Sequence, residues 1–174
     1  MIEAMENYFE RLRASWKDRE GTLPKAAVDE DAQPLIYVGE PDEEGYVEWR
    51  ATRKTVSTDL GPVEEATGQS IHPSVREYLN SYWFAELFGK YGGVGVTLAP
   101  VLPGLELTSF LTSLAGYKEA HDDRIDHIPV GTEFNGDLVV IDNKTGEVLL
   151  EDYERGAFRS LAPNLETLIA GLKI

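Results

Sequence analysis

The chain has no cysteine, and only three histidines and two methionines among its 174 residues. Without thiols there is no disulfide, no thiolate metal site and no cysteine nucleophile, a composition that fits a reducing compartment. No apolar run approaches the roughly 18 residues that a membrane span needs. The opening M-I-E-A-M-E-N-Y-F-E is acidic and amphipathic, whereas a secretory leader opens basic and turns uniformly apolar, so a cytoplasmic protein is expected. No G-x-S-x-G is present. The glycines at 92, 93 and 95 follow a helix-like stretch and precede a strand-like one, the reverse of the order that presents a helix N-terminus to phosphate. Positive charge is scarce too: 16 Lys and Arg face 31 Asp and Glu, a net charge of −15. Binders of nucleic acid or anionic lipid need a basic footprint, so both are disfavoured, and a partner recognised through charge is itself basic.

What is present reads as one folded unit. Hydrophobic residues at 42% and charged residues at 27% are ordinary for a globular protein, and residues 1–174 fit a single domain with one core. Ile2, Met5, Phe9, Leu12 and Trp16 recur at steps of three and four, which predicts an amphipathic helix over residues 2–19 ending near Gly21. Glu3, Glu6 and Glu10 come early in it and Arg11, Arg13, Lys17 and Arg19 late, the gradient the helix dipole favours. Residues 21–34 read as a loop. Leu35–Val38 and Tyr46–Arg50 read as strands joined by E-P-D-E-E-G. Asp29 to Glu48 carries eight acids and no base, a solvated loop face. Pro62–Ala66 predicts a helical turn, and Arg50–Asp59 is left unassigned.

The stretch Ser70–Pro100 organises the rest. Pro73 suits a first helical turn, and the spacing predicts a core helix from there to Phe88, followed by a strand over Val94–Leu98. Glu86 falls in the apolar half of that helix, where it either pairs with Lys90 at i,i+4 or faces a cationic partner. Leu105 to Ala120 predicts another helix. Next comes H-D-D-R-I-D-H, residues 121–127; its residue types suit a divalent metal, but their spacing fixes no common face, so the cluster is expected to be structural, with no metal and no cofactor. Ile128–Phe134, Asp137–Asp142 and Glu147–Leu150 read as strands, the last two joined by N-K-T-G, with Leu138, Val140, Val148 and Leu150 expected on one face. A helix follows Pro163. The fold class is therefore α+β: one mixed, largely antiparallel sheet with helices packed against it and the helix from Pro73 at its centre.

The order V63-E64-E65, I71-H72-P73-S74, Y78-L79-N80-S81, F88-G89-K90-Y91-G92-G93 and V96-T97-L98 resembles the Syd family. These are bacterial proteins of the SUKH superfamily that interact with the translocon channel SecY. The likeness extends to Tyr8 and Trp16, Trp49, T145-G146-E147-V148 and L161-A162-P163-N164-L165. It implies a non-catalytic monomer that binds basic cytosolic loops of SecY, peripheral on the cytoplasmic side of the inner membrane, and cytoplasmic loops do carry excess Lys and Arg. It directs attention to Glu86, Glu133, Asp137, Asp142, Glu151 and Asp152 as partner-binding acids, a subset of which should converge on one concave surface. Many SUKH proteins neutralise toxins, and an immunity protein is the alternative.

Overall fold

The computed structural model describes residues 1–174. The N-terminal periodicity gives helix α1, Ile2–Glu20, which ends on Gly21 in the left-handed conformation with its N–H on the Lys17 carbonyl. Ala4, Met5, Tyr8 and Leu12 are its buried side. A small sheet follows, formed by β1 (Lys25–Ala27), β2 (Tyr37–Val38) and β3 (Tyr46–Trp49) in the order β1-β3-β2. The strand β1 lies inside what the composition presents as loop. The acidic segment 29–48 thus wraps an antiparallel ribbon whose inward residues are Val47 and Trp49. Helix α2 (Gly61–Thr67) replaces the single turn expected there, and β4 (Thr52–Arg53) occupies the unassigned stretch.

The principal correction falls at the centre. Helix α3 runs only from Pro73 to Leu79, with His72 as N-cap and Asn80 as C-cap, and the chain then becomes β5 (Tyr82–Trp83) and β6 (Leu87–Tyr91). The reason lies in the run Y-W-F: bulky aromatics pack well on a pleated surface, and Tyr82, Phe84, Leu87 and Gly89 are buried while Trp83, Ala85, Glu86 and Phe88 are only partly so. The apolar run that suggests an all-round buried helix belongs to two short strands with one buried face and one half-covered face that is apolar as well. Glu86 is therefore in the β5–β6 connection, and it forms no ion pair with Lys90.

The main sheet has six strands in the order β11-β10-β9-β8-β7-β6. Its members beyond β6 are β7 (Val94–Leu98), β8 (His127–Glu133), β9 (Leu138–Asp142), β10 (Val148–Asp152) and β11 (Ala157–Ala162). Each adjacent pair is antiparallel. Helix α4 (Glu106–Ala120) packs on β8, and α5 (Leu165–Gly171) packs on α1, α3 and β11. In the β9–β10 register Leu150 faces Val139 and Val148 faces Ile141. The faces are thus Val139/Ile141/Val148/Leu150 and Leu138/Val140/Leu149/Glu151, one residue out of step with the alternation expected. Val139, Val140 and Ile141 are all fully buried, so the sequence there has no polar face to set the phase.

The two edges of this sheet differ. The outward backbone groups of β6 are all used: the Tyr8 hydroxyl donates to the Phe88 carbonyl at 2.8 Å and accepts from the Phe88 N–H at 2.9 Å. Lys90 exchanges both backbone bonds with Lys173. A Cβ on Gly89, between them, would stand 2.7 Å from the Lys173 carbonyl oxygen, which explains a glycine at this close approach. At the opposite edge β11 pairs only with β10, and Ala157 to Ser160 are exposed.

Candidate functional site

The fold distributes the six candidate acids over both ends and both sides of the sheet. Asp142 closes the β9–β10 turn: its carboxylate accepts from the N–H groups of Lys144 (2.9 Å) and Thr145 (2.7 Å), and these bonds, the Thr145 one foremost, hold it below the usual carboxylate range. Glu133 does the same for the β8–β9 turn, accepting from the Asn135 backbone N–H at 2.6 Å and its side-chain amide at 2.9 Å. Glu151, only 2% exposed, accepts from the Tyr117 hydroxyl at 2.9 Å and sits 2.5 Å from His121 Nε2. Asp137 and Asp152 share a hollow of about 370 Å³, where Arg159 and Arg155 reach them at 3.4 and 3.3 Å.

Glu86 differs from these five. It is partly buried, and the only influence resolved on its ionisation is that burial, which raises its pKa. Three strands separate β6 from β10 in the sheet, so Glu86 does not share the hollow of Asp137 and Asp152. Its surroundings are α1 and the aromatic strand β5. Phe9 of α1 packs at a tilt against Tyr82 at 5.6 Å and Phe84 at 5.3 Å between ring centres, and meets Trp49 edge-on at 6.1 Å. Glu86 lies close enough to Tyr8 to add to the effect of burial, which pushes that hydroxyl up to about 12.

Two further carboxylates, which the sequence places only in the charge gradient along α1, lie on another flank of that helix. Glu6 and Glu10 border a cavity of about 160 Å³ between α1, the end of β3 and Tyr82. Burial first and then Glu6 raise the Tyr82 hydroxyl, with Glu10 adding to them and Arg53 opposing. The available signal was the position of both acids beside Phe9 on one turn of an amphipathic helix, but such acids usually face solvent, and only the fold shows that β3 and β5 close over that flank.

The H-D-D-R-I-D-H segment ends α4 and enters β8. His121 stacks on Tyr117 (3.8 Å between ring centres), with Nδ1 2.7 Å from the Tyr117 carbonyl and Nε2 on Glu151. His127 stacks on Phe158 of β11 at 4.3 Å. Asp122 and Asp123 both take positive φ as the helix unwinds, a conformation that Asp tolerates better than most residues. The third histidine, His72, accepts from the Ser74 N–H at 3.2 Å as the α3 N-cap. No helix is long and apolar enough to cross a membrane.

A family model described as "Syd protein (SUKH-2)" matches residues 2–103, more than half of the chain. The chain belongs to the Syd family. Protein Syd of Cronobacter sakazakii is 27% identical over 178 residues, covering 98% of this chain and 94% of that protein. Protein Syd of Pectobacterium atrosepticum is 24% identical over 177 residues, covering 99% and 95%. Protein Syd of Aeromonas salmonicida is 27% identical over 178 residues, covering 99% and 96%. The stretch matching the Syd model includes Glu6, Glu10 and Glu86; Glu133, Asp137, Asp142, Glu151 and Asp152 lie beyond it.

Proposed function

We propose that the protein is a non-catalytic binding partner of the translocon channel SecY, engaging the channel's basic cytosolic loops from the cytoplasmic side of the membrane through the α1–β5–β6 flank. The observation that carries this reading is Glu86, a carboxylate taken partly out of water whose ionisation is opposed by burial with no cation of its own chain to compensate. A charge in that situation is destabilising alone and is relieved by an incoming cation. Glu6 and Glu10 are exposed on α1, the helix whose Tyr8 neighbours Glu86, and the net charge of −15 adds long-range attraction for a basic loop. Five of the six candidate acids have internal work, in two turns, a buried cluster and two arginine contacts; Asp137 and Asp152 stay available as a secondary contact because their arginines are exposed. The partner is protein, since bare anionic lipid and nucleic acid are both repelled by this surface.

Co-sedimentation with SecY-containing proteoliposomes tests the reading. Glu86→Lys should weaken retention strongly, and rising salt should weaken that of the wild type. Reversing Asp29, Glu30 and Asp31 together should have little effect. Equal losses in the two variants would leave only diffuse charge as the cause and remove Glu86 from the site. The SUKH part of the family description favours a second reading, neutralisation of a toxin by direct binding; it predicts no retention by SecY proteoliposomes in any variant.

A further inference from the structure

On the side of Glu86 away from Tyr8, the sheet leads to a second, apolar cavity. The ladder that pairs Leu87 with Leu98 keeps its register beyond β6, because Phe84 pairs with Val101. Glu86 therefore lies opposite Ala99, the residue after β7, at the roughly 5 Å spacing of cross-strand partners. Ala99 is exposed and stands at the mouth of a cavity of about 80 Å³ between α3, α4 and β8. The floor is buried and apolar, made by Val75, Tyr78 and Leu79 of α3, Phe110 of α4 and Val130 of β8. Tyr78 leaves no hydroxyl unmet there, since it donates to the Ala99 carbonyl at 2.6 Å. The one carboxylate of the lining, Glu106, is matched within the chain by the Thr58 hydroxyl at 2.7 Å and Lys54 at 3.5 Å. Glu86 has no such partner: burial is the only influence resolved on it, and Lys90, the next base along the chain, is four residues and about 13 Å of extended backbone away.

We infer that this cavity is a socket for one branched aliphatic side chain of the partner, carried two positions from a base in an extended segment: the aliphatic group enters between α3 and α4, and the base meets Glu86. Size selects the side chain. A cavity of about 150 Å³ holds a benzene ring, so one of about 80 Å³ takes leucine, isoleucine or valine and turns an aromatic ring away. Burying that group against the apolar floor removes surface of both partners from water. Charge selects its neighbour, because Glu86 lacks a cation of its own chain and the net charge of −15 draws bases to the surface. Residues two apart in an extended segment lie on one side at about 7 Å, comparable with the step from Ala99 to Glu86. An exposed ion pair contributes little by itself, so the aliphatic anchor supplies what the charge cannot. This rests on the reading above that the partner is basic and engages Glu86, and it names the side chain that must accompany the base.

The test is an NMR titration of the methyl-labelled full chain with acetylated, amidated Lys-Ser-Leu-Ser-Lys. The expected result is a saturable shift of the Val75, Leu79 and Val130 methyl signals, with intermolecular NOEs from them to the leucine methyls of the peptide. Exchanging that leucine for alanine or phenylalanine should weaken binding by about tenfold or more. Exchanging both lysines for serine should weaken it by about tenfold, and Glu86→Gln by about threefold. Glutamine keeps the shape and removes a charge that burial opposes, so the variant should keep its urea midpoint, which is measured alongside. Equal binding of the leucine and alanine peptides, or no NOE to these methyls, overturns the socket. Equal binding of the serine-exchanged peptide, or unchanged binding by Glu86→Gln, overturns its coupling to Glu86. Retention by SecY proteoliposomes is scored separately: peptide binding in the socket without retention refutes only the partner's identity, and retention without peptide binding refutes only the socket.

Discussion

Tyr8→Phe isolates one contact by which α1 is held to the sheet. The substitution keeps the ring, which is fully buried, and removes a hydroxyl that bonds both backbone groups of Phe88, at 2.8 and 2.9 Å. Each such bond contributes about 0.5–1.5 kcal/mol net, and a polar group left dry costs more than the average bond contributes. Phe88 is only partly buried, so water recovers some of the loss, and about 2 kcal/mol is the expected destabilisation. For a chain of this size that lowers the melting temperature by about 4–8 °C. Urea unfolding followed by circular dichroism measures it, with the slope m unchanged because no compactness is lost. A midpoint equivalent to less than about 0.5 kcal/mol of change would mean that solvent satisfies the β6 edge unaided and that Tyr8 contributes through packing alone.

Two further outcomes follow from buried polar groups. Tyr8, Tyr78 and Tyr117 all have raised pKa values, chiefly through burial; the unfolded chain therefore releases these protons first, near pH 10, and stability should be intact below about pH 10 and fall as pH climbs towards 12, with a shallower fall in Tyr8→Phe when urea midpoints are compared. Lys54 is buried with Nζ bonded to the Thr58 hydroxyl (2.6 Å) and the Leu79 carbonyl (3.0 Å), 3.5 Å from Glu106 and over the Trp83 ring, so Lys54→Met should cost about 3 kcal/mol by equilibrium unfolding and Lys54→Met/Glu106→Gln less, because removing one partner leaves the other buried charge unmatched.

Where periodicity or backbone chemistry acts locally, the sequence is legible. The 3.6-residue stripe of α1, Gly21 as its stop, the β7 strand and the Asp142–Gly146 turn all emerge from it, since each is determined by residues within one or two turns of chain. The helix from Pro73 to Phe88 fails for a physical reason: the eight aromatic and aliphatic residues from Tyr78 to Phe88 carry no clear period because Trp83, Ala85 and Phe88 are apolar on the half-covered face too, and length alone cannot separate a covered helix from two short strands. The strand β11 is missed because Phe158, Arg159 and Ser160 are exposed at an edge and bury no alternating set. For the site, the lone carboxylate Glu86 stands out in an apolar stretch at once, but the cavity beside Glu6 and Glu10 depends on α1 (Ile2–Glu20) meeting β3 (Tyr46–Trp49) and β5 (Tyr82–Trp83), and nothing local encodes that meeting.

The unequal edges of the main sheet set a limit on self-association. Adding strands indefinitely requires that every newcomer expose a fresh edge on its far side. Here a second copy docking through β11 would present only its own β6 side, already occupied by Tyr8 and Lys173. Edge pairing therefore terminates after one step, as a closed two-fold pair, and cannot propagate into a filament while α1 and the Lys173 bridge stay in place. The tyrosine that fastens the first helix is in this sense also a chain terminator, and its removal should raise the tendency to form fibrils under mildly denaturing conditions more than an equally destabilising change far from β6.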